Sequence, residues 1–210
     1  MDEDRLDQID PYSGLSNGLL LLINDIADLQ REAHQMAKNN DFSFVTAQEA
    51  SMDLMFRIER LALSLCNLSQ DVSICVALSD PEVAEDLRQT AEAGRLAALM
   101  LLNEIIHSTS RLCHEGIPTP QSDGRASLKF GLEHKTVYSQ RIFDLVGDLL
   151  ERSTTLNVSW PLWPLFIAGS SADTDQRRLV AIQLFEMAMQ KSTTLGVRFP
   201  LLALFKNWNS

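Results

Sequence analysis

From Ser16 onward the apolar residues of this chain return every three or four positions. Leu19, Leu22, Ile23, Ile26 and Leu29 form one stripe, the spacing that lines up side chains on a single face of an α-helix. The stripe fades at Lys38-Asn39-Asn40. A second one, Met55, Ile58, Leu61, Ala62, Leu65 and Leu68, follows Thr46 and Glu49. That pair reads as a capping box, the threonine oxygen meeting a free backbone N–H while the glutamate reaches back. After a break near Ser69-Gln70 the pattern runs on to Leu78. A third helix opens at Ser79-Asp80-Pro81-Glu82, which offers a capping box and a proline at the first helical position, and extends to Arg111. Between Arg95 and Ile106 it is apolar nearly all the way round, so it belongs at the centre of a bundle. Gly94 within it predicts close packing or a local kink.

Residues 113–131 are rich in Gly, Pro, Ser and charge and read as a mobile linker. The pattern resumes over Leu132–Arg152 with Val137, Ile142, Leu145, Val146 and Leu149. The run Trp160-Pro161-Leu162-Trp163-Pro164-Leu165-Phe166-Ile167-Ala168-Gly169 predicts a short buried helix with Pro164 in its first turn, where a missing N–H costs nothing. Asp173 with Gln176 caps the next helix, whose inner side is marked by Leu179, Ile182, Phe185, Glu186 and Met189. A last short helix spans Phe199 to Trp208. No window alternates apolar and polar residues between turn signals, so no strand is expected. The fold class is all-α: a single irregular helical bundle of about six to eight helices over residues 16–210, preceded by an acidic, flexible lead-in over residues 1–15.

Charge narrows the function. The net charge is −10, a balance that repels phosphate backbones and predicts no direct nucleic acid binding. The longest fully apolar run, Leu96 to Leu102, is far short of the roughly 20 residues a membrane span needs. Three cysteines, Cys66, Cys75 and Cys113, follow no metal spacing and suit a reducing compartment. Met1-Asp2-Glu3-Asp4 is acidic where a targeting peptide would be basic.

Candidate chemistry is sparse. Gly14, Ser16 and Gly18 match the G-x-S-x-G nucleophile elbow. That elbow needs a strand feeding a sharp turn, and Asp10-Pro11-Tyr12-Ser13 cannot supply one. Ser16 is expected at the start of the first helix instead. His34, His107, His114 and His134 show no ligand spacing. Asp144 and Asp148, one turn apart, read as a solvated face. No phosphate-binding glycine loop occurs, so no cofactor is expected and the chain does not read as an enzyme. Met52, Met55 and Met100 suit a malleable pocket and equally an irregular core, and Trp160 and Trp163 carry the same two readings.

Leu162-Trp163-Pro164-Leu165-Phe166-Ile167-Ala168-Gly169 followed by Asp175-Gln176-Arg177-Arg178 resembles the C-terminal regulatory domain of fungal zinc-cluster transcription factors. The family pattern there is an aliphatic-Trp-Pro-aliphatic-Phe run to a glycine, then an acid and arginine opening the next helix. Trp163, Pro164, Gly169 and Arg177 carry the match. Softer matches are Gly14-Leu15-Ser16 before the first helix, Ala91-Glu92-Ala93-Gly94-Arg95-Leu96-Ala97-Ala98-Leu99 in the central one, and Trp208. An aromatic commonly stands at the position of Gly94. The six-cysteine binuclear zinc cluster of such factors has no counterpart among the three cysteines here, so the chain is a piece of a longer factor or has lost its DNA reader.

The resemblance implies a regulatory module in the nucleus, or otherwise the cytoplasm, governed by a small hydrophobic effector or a transcriptional co-regulator. Trp160, Trp163, Leu165 and Phe166, with Met55, Leu99 and Met100, would form a pocket wall or the packing motif behind it. The alternatives are a receptor for sterols or similar molecules, and a stand-alone interaction module that forms a homodimer.

Overall fold

The computed structural model describes residues 6–38, 44–114, 132–152, 161–191 and 198–208. Among them run eight helices: α1 (Asn17–Lys38), α2 (Phe44–Cys66), α3 (Ile74–Ser79), α4 (Pro81–His114), α5 (Leu132–Arg152), α6 (Leu162–Ser170), α7 (Asp175–Lys191) and α8 (Arg198–Trp208). The only β pairing among the described residues is two isolated bridges, Gln8 with Asp71 and Ile9 with Ser16. The fold is all-α, as the periodicity predicts.

The central helix is α4. Leu96 through Met100 are all buried, as are Leu102, Asn103 and Ile105, and α1, α2, α3, α5 and α6 all pack against it. Polar ties fix the surrounding helices. Lys135 at the start of α5 pairs with Glu104 at 3.2 Å, and Arg152 at its end pairs with Asp86 at 3.6 Å, so α5 runs antiparallel to α4. The Arg95 guanidinium grips Glu92 through two 2.7 Å hydrogen bonds and donates to the Leu65 carbonyl at 3.4 Å, close to the end of α2. Those bonds to the Glu92 carboxylate raise the pKa of Arg95 despite its partial burial. Arg57 meets Glu32 at 2.7 Å and links α2 to α1.

The helix starts differ in detail from the sequence reading. Ser16 does cap α1, accepting the Leu19 N–H at 3.1 Å. Thr46, however, is the third residue of α2; nothing in Phe44-Val45 breaks a helix, so α2 begins before the proposed box. Pro81 is the first residue of α4, but its cap is Asp80, which accepts the Val83 N–H at 3.1 Å. Ser79 closes α3 instead and donates to the Val76 carbonyl at 3.2 Å. The cap of α7 is Thr174, accepting the Arg177 N–H at 3.4 Å, while Asp173 receives the Arg177 side chain at 3.0 Å. In both of the latter cases the capping oxygen comes from the residue directly before the helix, one position after the expected one.

Two inner faces also shift. Val137 is 60% exposed and α5 buries Ser139 and Phe143 with Ile142, Leu145, Val146 and Leu149. In α7 Leu179 is 53% exposed, and Ala181, Leu184, Phe185 and Ala188 are the buried residues. Apolar and polar residues are both spread round that helix, so large residues mark its core face poorly. Small alanines sit where the neighbouring helices come closest.

Residues 6–16 are tied to the bundle. Ile9 is buried against Leu87 and Ala91, its N–H meets the Asp71 carbonyl at 2.9 Å, and Gly18 N–H meets the Leu6 carbonyl at 2.8 Å. The Asp10 carboxylate accepts the Tyr12 and Ser13 N–H groups, both at 3.2 Å, and so stays below the usual carboxylate range. Helix α4 runs through His114, so the first two residues of the expected linker are helical; the rest of it lies outside the described residues.

Gly94 marks where this segment docks. A Cβ there would stand 2.6 Å from Leu15 Cδ2 and 3.2 Å from Leu19 Cδ2. Leu15 therefore fills the space a side chain at position 94 would need. Gly94→Ala should change stability little, because a helix-propensity gain of about 1 kcal/mol opposes the displacement of Leu15. Gly94→Val should cost about 1–3 kcal/mol, as overpacking then dominates. Urea denaturation of both variants checks the contrast; equal effects would contradict the docking.

Candidate functional site

Helix α6 and the residues behind it form one corner of the fold. Pro161 precedes the helix and its carbonyl accepts the Leu165 N–H at 3.0 Å, while Pro164 sits in the first turn as expected. Pro164, Leu165, Ala168 and Gly169 are buried. At Gly169 an added Cβ would lie 2.9 Å from Leu204 Cδ1 and 3.4 Å from Ala181 Cβ, so the glycine lets α6 approach both α7 and α8. The Gly169 carbonyl accepts the Ala172 N–H at 3.0 Å and, from the side, the indole N–H of Trp208 at 3.1 Å. Phe205 meets that indole edge-on at 5.8 Å, and the Arg178 guanidinium lies 5.7 Å from its centroid. Arg178 also donates to the Ala172 carbonyl at 3.3 Å, and Arg177 reaches Thr136 on α5 at 3.5 Å.

The front of α6 opens on a cavity of about 290 Å³. Pro161, Trp163 and Pro164 form one wall, Leu20 and Ile23 of α1 another, and Leu15, Ser13 and Thr90 the remainder. Among the described residues no charged side chain lines it. Thr90 is buried and donates to the Asp86 carbonyl at 2.9 Å, and Ser13 bonds locally with Leu15. Two hydroxyls and apolar walls can recognise an uncharged molecule. They supply no acid, base or nucleophile set.

Among the expected pocket or packing residues, Leu99, Met100 and Leu165 are buried in the main core, and Met55, Trp163 and Phe166 pack against it. Only Trp163 of that group lines the cavity; Trp160 lies outside the described residues. Missing from the sequence reading were Leu15, Leu20, Ile23, Thr90 and Pro161 as neighbours of Trp163. Leu20 carried a signal: it is a leucine off the α1 stripe, and it is 41% exposed.

The other candidates occupy structural positions. Besides capping α1, the Ser16 hydroxyl donates to Gln70 Oε1 at 3.2 Å, and Gln70 donates on to the Ala91 carbonyl at 3.1 Å. His34, Asp144 and Asp148 are exposed, as is Met52. Among the described residues no group of His, Cys, Asp and Glu could hold a metal ion. No described helix is long and apolar enough to cross a membrane. Tyr138 has its pKa pushed up by burial, and it too is absent from the cavity lining.

The family model of the fungal specific transcription factor domain matches residues 1–209. The chain belongs to this family. No curated protein and no solved structure matches it. The family is a transcription factor domain rather than an enzyme class. Of the residues that carry the sequence resemblance, Trp163 and Pro164 face the cavity, while Gly169, Arg177 and Trp208 lie at the corner behind it.

Trp208→Phe removes the donor to the Gly169 carbonyl and should cost about 1 kcal/mol, the net value of an ordinary hydrogen bond. Gly169→Leu should cost more, on the order of 1–3 kcal/mol, by wedging α6 away from α8. Denaturant midpoints of the two variants measure both effects, and an unchanged Trp208→Phe midpoint would show that the bond is dispensable.

Proposed function

We propose that this chain is the effector-responsive regulatory domain of a fungal zinc-cluster-type transcription factor. It controls transcription in the nucleus and leaves DNA reading to another element. The observation that carries this reading is the family match over residues 1–209. The net charge of −10 supports the division of labour, since phosphate backbones are repelled.

The cavity beside Trp163 is the proposed effector site. Its walls come from α1, the segment before it, α4 and the start of α6, so an occupant that fits one arrangement of these elements better than another shifts their population. A volume of about 290 Å³ lies at the lower edge of ligand pockets, about 300–1,000 Å³. It suits an uncharged molecule smaller than a sterol.

A second reading, the protein-interaction or dimerisation module, is favoured by a separate observation. Met52, Phe56 and Leu63 are 58%, 66% and 63% exposed at helical spacing along α2, a stripe that a partner would cover.

The full chain tethered to a heterologous DNA-binding domain should change reporter output in a fungal cell. Leu20→Trp, which adds bulk at the cavity mouth, should lock that output at one level while shifting stability by no more than about 0.5 kcal/mol. A flat reporter with the native chain would remove the regulatory reading. A Leu20→Trp chain that responds like the native one would remove the cavity from it. For the second reading, Phe56→Lys should lower the apparent mass in size-exclusion chromatography with light scattering if α2 pairs copies; a mass already equal to one chain would exclude the homodimer.

A further inference from the structure

Among the described residues four polar ones are buried in the bundle: Ser16, Thr90, Asn103 and Ser139. Three are satisfied. Ser16 bonds to the Leu19 N–H and to Gln70, Thr90 to the Asp86 carbonyl, and Ser139 to the Ala168 carbonyl at 3.4 Å. Asn103 is the exception: it has no exposed surface, and neither its Nδ2 nor its Oδ1 has a partner. One turn further along α4, His107 presents a ring nitrogen, Nε2, that is buried and partnerless as well. Residues four apart on a helix share a face, so three orphaned polar atoms stand together on the central helix.

The position makes the amide conspicuous. Leu96 to Leu102 is an unbroken apolar run, and a leucine at 103 would extend it without any desolvated donor or acceptor. Buried amides are nearly always paired, and leaving one unpaired destabilises the fold.

We propose that Asn103 and His107 form an internal polar site that takes an uncharged hydroxyl group carried on a compact apolar body. One hydroxyl answers all three orphans. Its O–H donates to Asn103 Oδ1, and its oxygen accepts from Asn103 Nδ2 and from His107 Nε2–H. The guest is uncharged because no charged group is recorded as a partner of these atoms. The acid and base next to them on α4 and α5, Glu104 and Lys135, are already paired with each other at 3.2 Å, and a buried ion without a counterion is strongly disfavoured. The site is separate from the cavity beside Trp163, whose lining includes neither residue.

Phenol and toluene test this, since they share a ring and differ in the hydroxyl. In thermal unfolding of the full chain, phenol should raise Tm with concentration, and by more than toluene at equal concentration. Asn103→Leu should melt higher than the native chain, by about 2–4 °C, because an unpaired amide has been replaced by an apolar side chain of similar size. It should also lose the preference for phenol. Leu20→Trp, which obstructs the other cavity, should keep it. Equal shifts with the two probes in the native chain would overturn the proposal and leave at most a buried water. So would a phenol preference that survives Asn103→Leu or disappears in Leu20→Trp. An Asn103→Leu chain that melts lower or fails to fold would also overturn it, by showing that the fold itself satisfies the amide.

Discussion

Helix α4 is apolar from Leu96 to Leu102, with every residue of that run but Leu101 buried, and burial of apolar surface is the main favourable term in folding. A helix of that kind is stable only if other elements cover it on several sides. The neighbours α1, α2, α3, α5 and α6 do this, and the rest of the arrangement follows from their need to fit. Leu15 drops into the space over Gly94. The segment from Leu6 is drawn in with it, and Ile9 finds its own small cluster beside Leu87.

The second constraint is the corner of α6, α7 and α8. Helix α6 is short, and its last carbonyls are met by the backbone just past its end, those of Ile167 and Ala168 by the Ser171 N–H and that of Gly169 by the Ala172 N–H. Trp208 answers the Gly169 carbonyl from α8, and the Arg178 guanidinium lies near the same indole from α7. Close approach at Gly169 and hydrogen bonding at its carbonyl are thus two parts of one joint. With that joint closed behind it, the Trp163 face of α6 is held opposite α1 and the segment before it, and the cavity lies between them. The residues that carry the resemblance therefore serve position first. Trp163 and Pro164 are the ones that also line the cavity.

Polar groups inside the bundle are placed with economy. Ser16 caps a helix and anchors Gln70, and Gln70 in turn holds the Ala91 carbonyl, so one buried hydroxyl links α1 to α4. Against that background the bare amide of Asn103 stands out. The same low-dielectric interior that strengthens a satisfied network makes an unsatisfied group costly.

The sequence by itself determined the fold class, the central place of α4, the capping role of Ser16 and the family. Each of these is written in local spacing or in a contiguous motif: 3- and 4-residue periodicity, a fully apolar run, a hydroxyl before a helix, Trp163-Pro164 leading to Gly169. Tertiary structure decided what depends on distance between helices. Periodicity cannot say which side of α7 faces inward when its apolar residues are spread round it; Leu179 stays outside and Ala181 goes in. The motif named Trp163 but not its neighbours, because Leu20, Ile23 and Thr90 come to it across more than 70 residues of chain. Nor could the sequence show Asn103 without a partner, since only the packed bundle decides which polar atoms water can no longer reach.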